Sequence, residues 1–262
     1  MIIDFHAHAR RGHGDPANLI NAMDENGVDL MVLHPIVPTV AGVGDSSNEF
    51  IAELVAKYPD RFLAFACVQP LNESAPEELE NLVKTYGFKG LKLHPPIQQF
   101  ELTNSAIFPT LRMAEKLDIP VLIHTGPIFP RGARLAYGDP LPADDLAYIF
   151  PDLDIIVAHA DPFGHQPTIA GRHPRVYTDT AVVFTRFARL IPGVGEDMLE
   201  WMSIGGQPGY SKLLFGTDAN PNNTLRLSQT IEAIRSMDIE EDQKAAILGG
   251  NAQKLLRLQE GR

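Results

Sequence analysis

The chain has one cysteine, Cys67, among its 262 residues, so no disulfide can form within it. Cys67 lies in the apolar run Phe62-Leu63-Ala64-Phe65-Ala66-Cys67-Val68 and reads as a small core residue rather than a nucleophile. Long apolar runs are also missing: none approaches the roughly 20 residues that span a bilayer. Positive charge is short as well. With 22 Lys and Arg against 33 Asp and Glu, the net charge is −11. An acidic surface repels phosphate backbones and anionic lipid heads, which argues against nucleic-acid or membrane partners and for a small-molecule substrate. The start, Met1-Ile2-Ile3-Asp4, has neither the basic nor the apolar region of an export signal, so the expectation is a cytoplasmic protein. No linker, repeat or low-complexity tract stands out, so one domain over 1–262 is expected.

What is present is ordinary globular material, 44% hydrophobic and 21% charged, with a mean hydropathy of −0.08. Eight short apolar runs read as strands buried on both faces: Ile2–Phe5, Val28–Leu33, Phe62–Val68, Gly90–Leu93, Val121–Ile123, Ile155–Ala158, Val176–Thr178 and Leu213–Phe215. Segments with helical spacing lie between them, among them Ala17–Glu25, Asn48–Lys57, Pro76–Tyr86, Ser105–Leu117, Pro142–Phe150 and Asn223–Met237. Two more, Glu240–Leu248 and Asn251–Leu258, predict extra C-terminal helices. Only Val182–Gly209 is irregular and rich in Gly and Pro. This order predicts an α/β fold, a (β/α)8 TIM barrel. A doubly wound sheet is the competitor, but its Gly-rich turn after the first strand is replaced by His6-Ala7-His8.

Histidines gather at the strand ends. His6 and His8 close the first strand, His34 the second, His94 the fourth, His124 the fifth and His159 the sixth, while Asp218 follows the eighth. Barrel active sites are built at those ends. Residues i and i+2 of a strand share a face, so His6 and His8 can point into the barrel mouth and share a metal. His34, followed by Pro35, reads as a hydrogen-bonded core residue. His13, His165 and His173, in polar loops, read as solvated or supporting groups.

Several motifs stand in a recognisable order: Asp4-Phe5-His6-Ala7-His8, Gly90-Leu91-Lys92-Leu93-His94-Pro95, Val121-Leu122-Ile123-His124-Thr125-Gly126, Ala158-His159-Ala160 and Phe215-Gly216-Thr217-Asp218. Tyr177-Thr178-Asp179-Thr180 and Gly250-Asn251-Ala252-Gln253-Lys254-Leu255-Leu256 extend the match. Together the chain resembles the amidohydrolase superfamily, in particular its amidohydrolase 2 branch, which includes aminocarboxymuconate semialdehyde decarboxylase. The resemblance implies one divalent metal, usually zinc, with Mn, Fe or Co also suited. Its implied ligands are His6, His8, His124 and Asp218, with His159 as an acid/base or polarising residue. It also suggests a homodimer. One departure is Asp161-Pro162-Phe163-Gly164-His165 after His159, where relatives often carry a glycine pair. In some superfamily branches a fourth-strand lysine is carboxylated between two metals, which raises the same question for Lys92. His94 reads as pocket lining.

The first functional expectation is a metal-dependent hydrolase, in which metal-activated water attacks an amide, ester or lactone and Asp218 and His159 serve as catalytic groups. The alternative is non-oxidative decarboxylation on the same metal. A third reading is a barrel without catalysis that acts as a binding protein. Arg131 and Arg134, in the loop after the fifth strand, are the candidate clamp for a substrate carboxylate. Phe129, Tyr137, Phe163 and Phe184 are candidates for an apolar wall.

Overall fold

A computed structural model of the chain describes residues 1–36 and 46–259. Eight parallel strands alternate with helices in chain order: β1 (Ile3–Ala7), α1 (Ala17–Asn26), β2 (Leu30–Leu33), α2 (Asn48–Lys57), β3 (Phe62–Ala64), α3 (Ala75–Tyr86), β4 (Leu91–Leu93), α4 (Pro95–Gln98), α5 (Phe108–Lys116), β5 (Val121–Ile123), α6 (Pro142–Ile149), β6 (Ile155–Val157), α7 (Gln166–Arg172), β7 (Val176–Asp179), α8 (Val183–Leu190), α9 (Val194–Ser203) and β8 (Leu213–Leu214). Then come α10 (Leu225–Arg235), α11 (Glu241–Ala245) and α12 (Asn251–Leu255).

Helix ends follow local chemistry. Ser47 caps α2 by accepting from the Phe50 N–H, and Gly27, at φ 66°, ends α1 in the left-handed conformation. The irregular stretch after β7 resolves into α8 and α9, separated at Ile191-Pro192-Gly193, because Pro192 cannot continue the first helix. Among the described residues no helix is long and apolar enough to cross a membrane.

The strands pair as β1-β2-β3 and β4-β5-β6-β7-β8. Two narrow seams close these sheets into a barrel. At β3–β4 the Ala66 N–H donates to the Gly90 carbonyl and Lys92 N–H to the Ala66 carbonyl (2.8 and 2.7 Å). At β8–β1 the Phe5 N–H donates to the Phe215 carbonyl, and Ala7 bridges Ala219 (2.8 Å for the hydrogen bond). The structure is thus the expected (β/α)8 barrel.

Alternation sorts the strand residues into two layers. Val121, Ile123, Ile155 and Val157 join the core beneath the helices, while Val32, Leu63, Leu122, Ile156 and Leu214 form a separate inner cluster. On β1 the alternation is broken. Its register against β2 shifts between Asp4 and Ala7. Ile3 and Phe5 belong to the inner cluster, yet the residues turned onto the polar groups of the mouth are His6 and His8. Irregular pairing of this kind re-aims side chains near active sites. Each large apolar side chain buried here contributes about 1.5–3 kcal/mol to folding, so the rim can hold polar groups that add none.

Candidate functional site

The β8–β1 seam assembles the site. Asp218 and Thr217 N–H both approach the His6 carbonyl, at 2.6 and 3.2 Å, and His8 N–H donates to the Ala219 carbonyl at 2.8 Å. Gly216 permits this approach, because a Cβ there would stand 2.9 Å from His6 Cβ. Asp4 pins the turn. Its Oδ1 accepts from the backbone of His6 and Thr217, and its Oδ2 accepts from the Thr217 hydroxyl at 2.6 Å. Burial pushes the Asp4 carboxyl up to about 7 against those bonds.

The hydrogen bonds fix the tautomers. His8 Nδ1 lies 2.8 Å from the His34 carbonyl, an acceptor only, so Nδ1 carries the proton and Nε2 the lone pair. That Nε2 faces Asp218 Oδ1 at 3.1 Å. Two lone-pair atoms so close repel unless a cation or proton lies between them. His6 repeats the pattern: Nδ1 donates to Asp179 Oδ2 at 2.9 Å, which leaves the Nε2 lone pair, 3.3 Å from Lys92 Nζ. Such outer carboxylates and carbonyls orient ligating histidines. One ligand atom each from His6, His8 and Asp218 falls within 4.8 Å of the others, and so does the set His6, His159 and Asp179. Two imidazole nitrogens and a carboxylate suit a divalent transition metal.

His124 stands one step away. It belongs to neither of those sets. The Ala181 carbonyl, 3.2 Å off, fixes the proton on His159 Nδ1, so His159 Nε2 accepts from His124 Nδ1 at 3.1 Å. This leaves His124 Nε2 as a lone pair, buried and without a hydrogen bond, which is the state a ligand needs. His94 stacks on His124 with ring centres 3.9 Å apart, and its Nδ1 is likewise unpartnered. Burial foremost, then like charge from Lys92 and neighbouring histidines, holds His6, His94 and His124 well below the usual range and therefore neutral. Burial also lowers Lys92, to about 8, against the pull of Asp179 and Asp218. Burial works against the Asp218 charge too, but His8, His159 and Arg226 outweigh it and hold the carboxyl well below its ordinary value.

Two backbone outliers coincide with this chemistry. His159 and Asp218 have φ of 65° and 54°, in the left-handed region that non-glycine residues rarely occupy. Strain of this kind collects at functional sites.

A cavity of about 300 Å³ opens on the cluster. Its lining combines His8, His94, His124, His159 and Asp218 with Ile36, Ile97, Pro127, Ile128, Phe129 and Pro130. Its cations are Arg10 and Arg226, neither of them among the expected clamp residues. Arg226 Nη1 holds Asp218 Oδ2 at 2.7 Å and also donates to the Asp218 carbonyl. Arg131 and Arg134 do not line the cavity. Both are exposed, and Arg134 donates to the Tyr137 hydroxyl at 2.6 Å while lying over that ring. Of the wall candidates Phe129 lines the cavity, Phe184 is buried, and Phe163 packs on Phe187 outside it. His34 is a core residue as expected, its Nε2 donating to the Phe5 carbonyl at 2.7 Å. His173, expected in a solvated or supporting role, is buried and bonded to Asp144.

Asp179, quoted above only within a motif, and Arg226 contact the cluster without having been expected there. Asp179 had a signal, an acid closing β7 in a ring of strand-end histidines that need acceptors. Arg226 had none, since one arginine on an amphipathic helix looks like a solvated charge.

Comparison with known proteins places these observations. The gamma-resorcylate decarboxylase of Polaromonas sp. (strain JS666 / ATCC BAA-500) is 32% identical over 138 residues, which cover 45% of this chain and 41% of that relative. The match thus spans under half the length of that relative. Among solved structures, an uncharacterized TIM-barrel protein from Bordetella bronchiseptica superposes with a TM-score of 0.75 at 20% identity, covering 98% of both chains. A dihydroxybenzoic acid decarboxylase from Polaromonas sp. JS666, solved with manganese and the inhibitor 2-nitroresorcinol, gives 0.72 at 21% identity, covering 98% of this chain and 97% of that one. The sequence profile of the family described as amidohydrolase matches residues 3–258, and the chain belongs to that family.

Proposed function

We propose that this protein is a metal-dependent, non-oxidative decarboxylase of a small hydroxylated aromatic acid. The observation that carries the reading is the His8 Nε2–Asp218 Oδ1 approach at 3.1 Å at the cavity wall, with a His6 ring nitrogen within 4.8 Å of both ligand atoms behind it. The donors that would hold the metal are His6, His8 and Asp218, with the free Nε2 of His124 beside them. The decarboxylases among the relatives move the expected chemistry from hydrolysis to loss of carbon dioxide. Manganese in a neighbouring decarboxylase supports that ion rather than zinc. When bound, a divalent metal supplies positive charge that anchors an acidic substrate and stabilises charge developing on it.

The chain's own groups account for the rest. The cavity's lining mixes polar and apolar groups, which suits an aromatic ring bearing a carboxylate. Arg10, whose side chain has no ion pair or hydrogen bond among the described residues, lines that space as a carboxylate partner. Carbon–carbon cleavage leaves the bonding pair on the ring carbon, carbon dioxide departs, and a proton must replace it. Asp218, paired with the Arg226 guanidinium, is a poor proton source and serves as a ligand. His159 is the donor: its Nδ1 stays on the Ala181 carbonyl, and its Nε2, which accepts from His124 Nδ1 at rest, takes a proton from solvent when that hydrogen bond opens and delivers it to the ring carbon.

The test uses carboxyl-labelled 2,6-dihydroxybenzoate with the manganese-loaded protein. Labelled carbon dioxide and resorcinol are expected. Turnover of an ester, amide or lactone panel, with no carbon dioxide from any hydroxybenzoate, would return the assignment to hydrolysis.

A further inference from the structure

Behind Arg226 lies a second groove, of about 470 Å³. It shares Val182 and Arg226 with the catalytic cavity, and Arg186 and Arg189 complete its cationic wall. No acidic residue lines it. In a chain of net charge −11, three guanidiniums line one groove, and among the described residues only Arg226 has a carboxylate partner, Asp218, on its far side. Arg186 and Arg189 sit three apart on α8 and so share a helix face, where like charges repel. Both are exposed, and neither has an ion pair or side-chain hydrogen bond among the described residues. Arg226 uses only Nη1 on Asp218, which leaves Nη2 and Nε as donors.

A second observation lies in the wall between the two spaces. Val182 has φ 57° and ψ −65°, a conformation that a β-branched residue resists. Such strain persists where surrounding structure over-determines it, typically at ligand clamps.

We infer that this groove is an oxyanion subsite, coupled to the catalytic cavity through Arg226, that takes a carboxylate or a comparable dianion. Planar guanidiniums bind such oxygens in pairs, and Gln229 adds a neutral donor, while Thr185 and Thr230 spend their hydroxyl protons on the Thr180 carbonyl and on each other. The anion has two sources, the distal acid group of a diacid substrate or a free dianion acting from outside. This goes beyond decarboxylation, and it is read from binding without turnover, so the failure of that reading leaves it standing.

Malonate and inorganic phosphate are titrated calorimetrically into the full metal-loaded chain and into the Arg186→Gln/Arg189→Gln variant. Saturable binding at one site per chain is expected, weakened by salt and at least 10-fold weaker in the double variant, with each single variant between. Circular dichroism checks that the variants, altered only at exposed positions, remain folded. A KM that rises in the double variant for a hydroxylated benzene dicarboxylate, but not for the monocarboxylate, assigns the anion to the substrate. Unchanged KM for both, with anion binding lost, assigns it to a free dianion. Non-saturable binding by the natural chain, or equal binding by the double variant, overturns the subsite.

Discussion

The two ends of the barrel hold opposite kinds of space. The larger cavity, about 730 Å³, lies where the strands begin, lined by Met23, Asp24, Asp29, Arg61 and Leu258 among others. The smaller, about 300 Å³, lies where they end. At the wide end the polar groups are answered. Arg61 spends its donors on Asp24 and on the carbonyls of Val28 and Asp29, and Asp29 accepts from the Ile2 N–H. At the narrow end buried nitrogens of His94 and His124 have no partner, and His8 points a lone pair at a carboxylate. Volume therefore does not mark the site. What sets the narrow end apart is that its unpartnered imidazole nitrogens converge with a carboxylate on one cavity.

Four substitutions press on that contrast, and the effects should fall off with distance from the lone pairs. The largest belongs to His8→Ala. Loss of one donor should remove the metal and lower kcat/KM on the preferred hydroxybenzoate by about 1,000-fold or more, roughly 4 kcal/mol of transition-state stabilisation. Next, His159→Asn should retain metal yet lower kcat by about 100- to 10,000-fold, the range for a proton-transfer group. A parallel loss of metal would instead make His159 a ligand. Third, Asp179→Asn removes the acceptor that orients His6 and should weaken metal affinity about 10- to 100-fold with the fold intact, as read by competition with a chelator.

The smallest effect belongs to the opposite end, where Lys212 is buried against the carbonyls of His173 and Pro174. Burial lowers its amine to about 8, against the pull of Asp154. The unfolded chain therefore binds the extra proton between about pH 8 and the ordinary lysine value of 10.5, and stability rises with pH across that window. Lys212→Met should flatten this rise in chemical denaturation, by on the order of 1 kcal/mol, without touching metal content. A change in metal content there would mean that the two ends are coupled.

The barrel was legible because its strands are short apolar runs at even spacing, and the histidines because they sit where those runs stop. Three features were not. The register shift on β1 depends on pairing with β2, so the sequence pattern of strict alternation could not reveal that Phe5 joins the inner cluster while His6 and His8 still turn to the mouth. The pairing of His6 with Asp179 spans 173 residues and exists only once the barrel closes. Cavity arginines were expected in the loop after β5, where Arg131 and Arg134 are exposed. Arg10 and Arg226, on either side of the β8–β1 seam, occupy the cavity instead. Composition is silent about such choices, since a charge on a helix and a charge at a site have the same spelling.

The account's central claim is that His6, His8 and Asp218 hold a metal at the narrow end. Its most direct test is elemental analysis of the natural chain, His8→Ala and Asp218→Asn after manganese loading and gel filtration. The claim predicts about one manganese per natural chain and close to none in either variant at unchanged circular dichroism. A full equivalent of metal retained by both variants, or none bound by the natural chain, would contradict it.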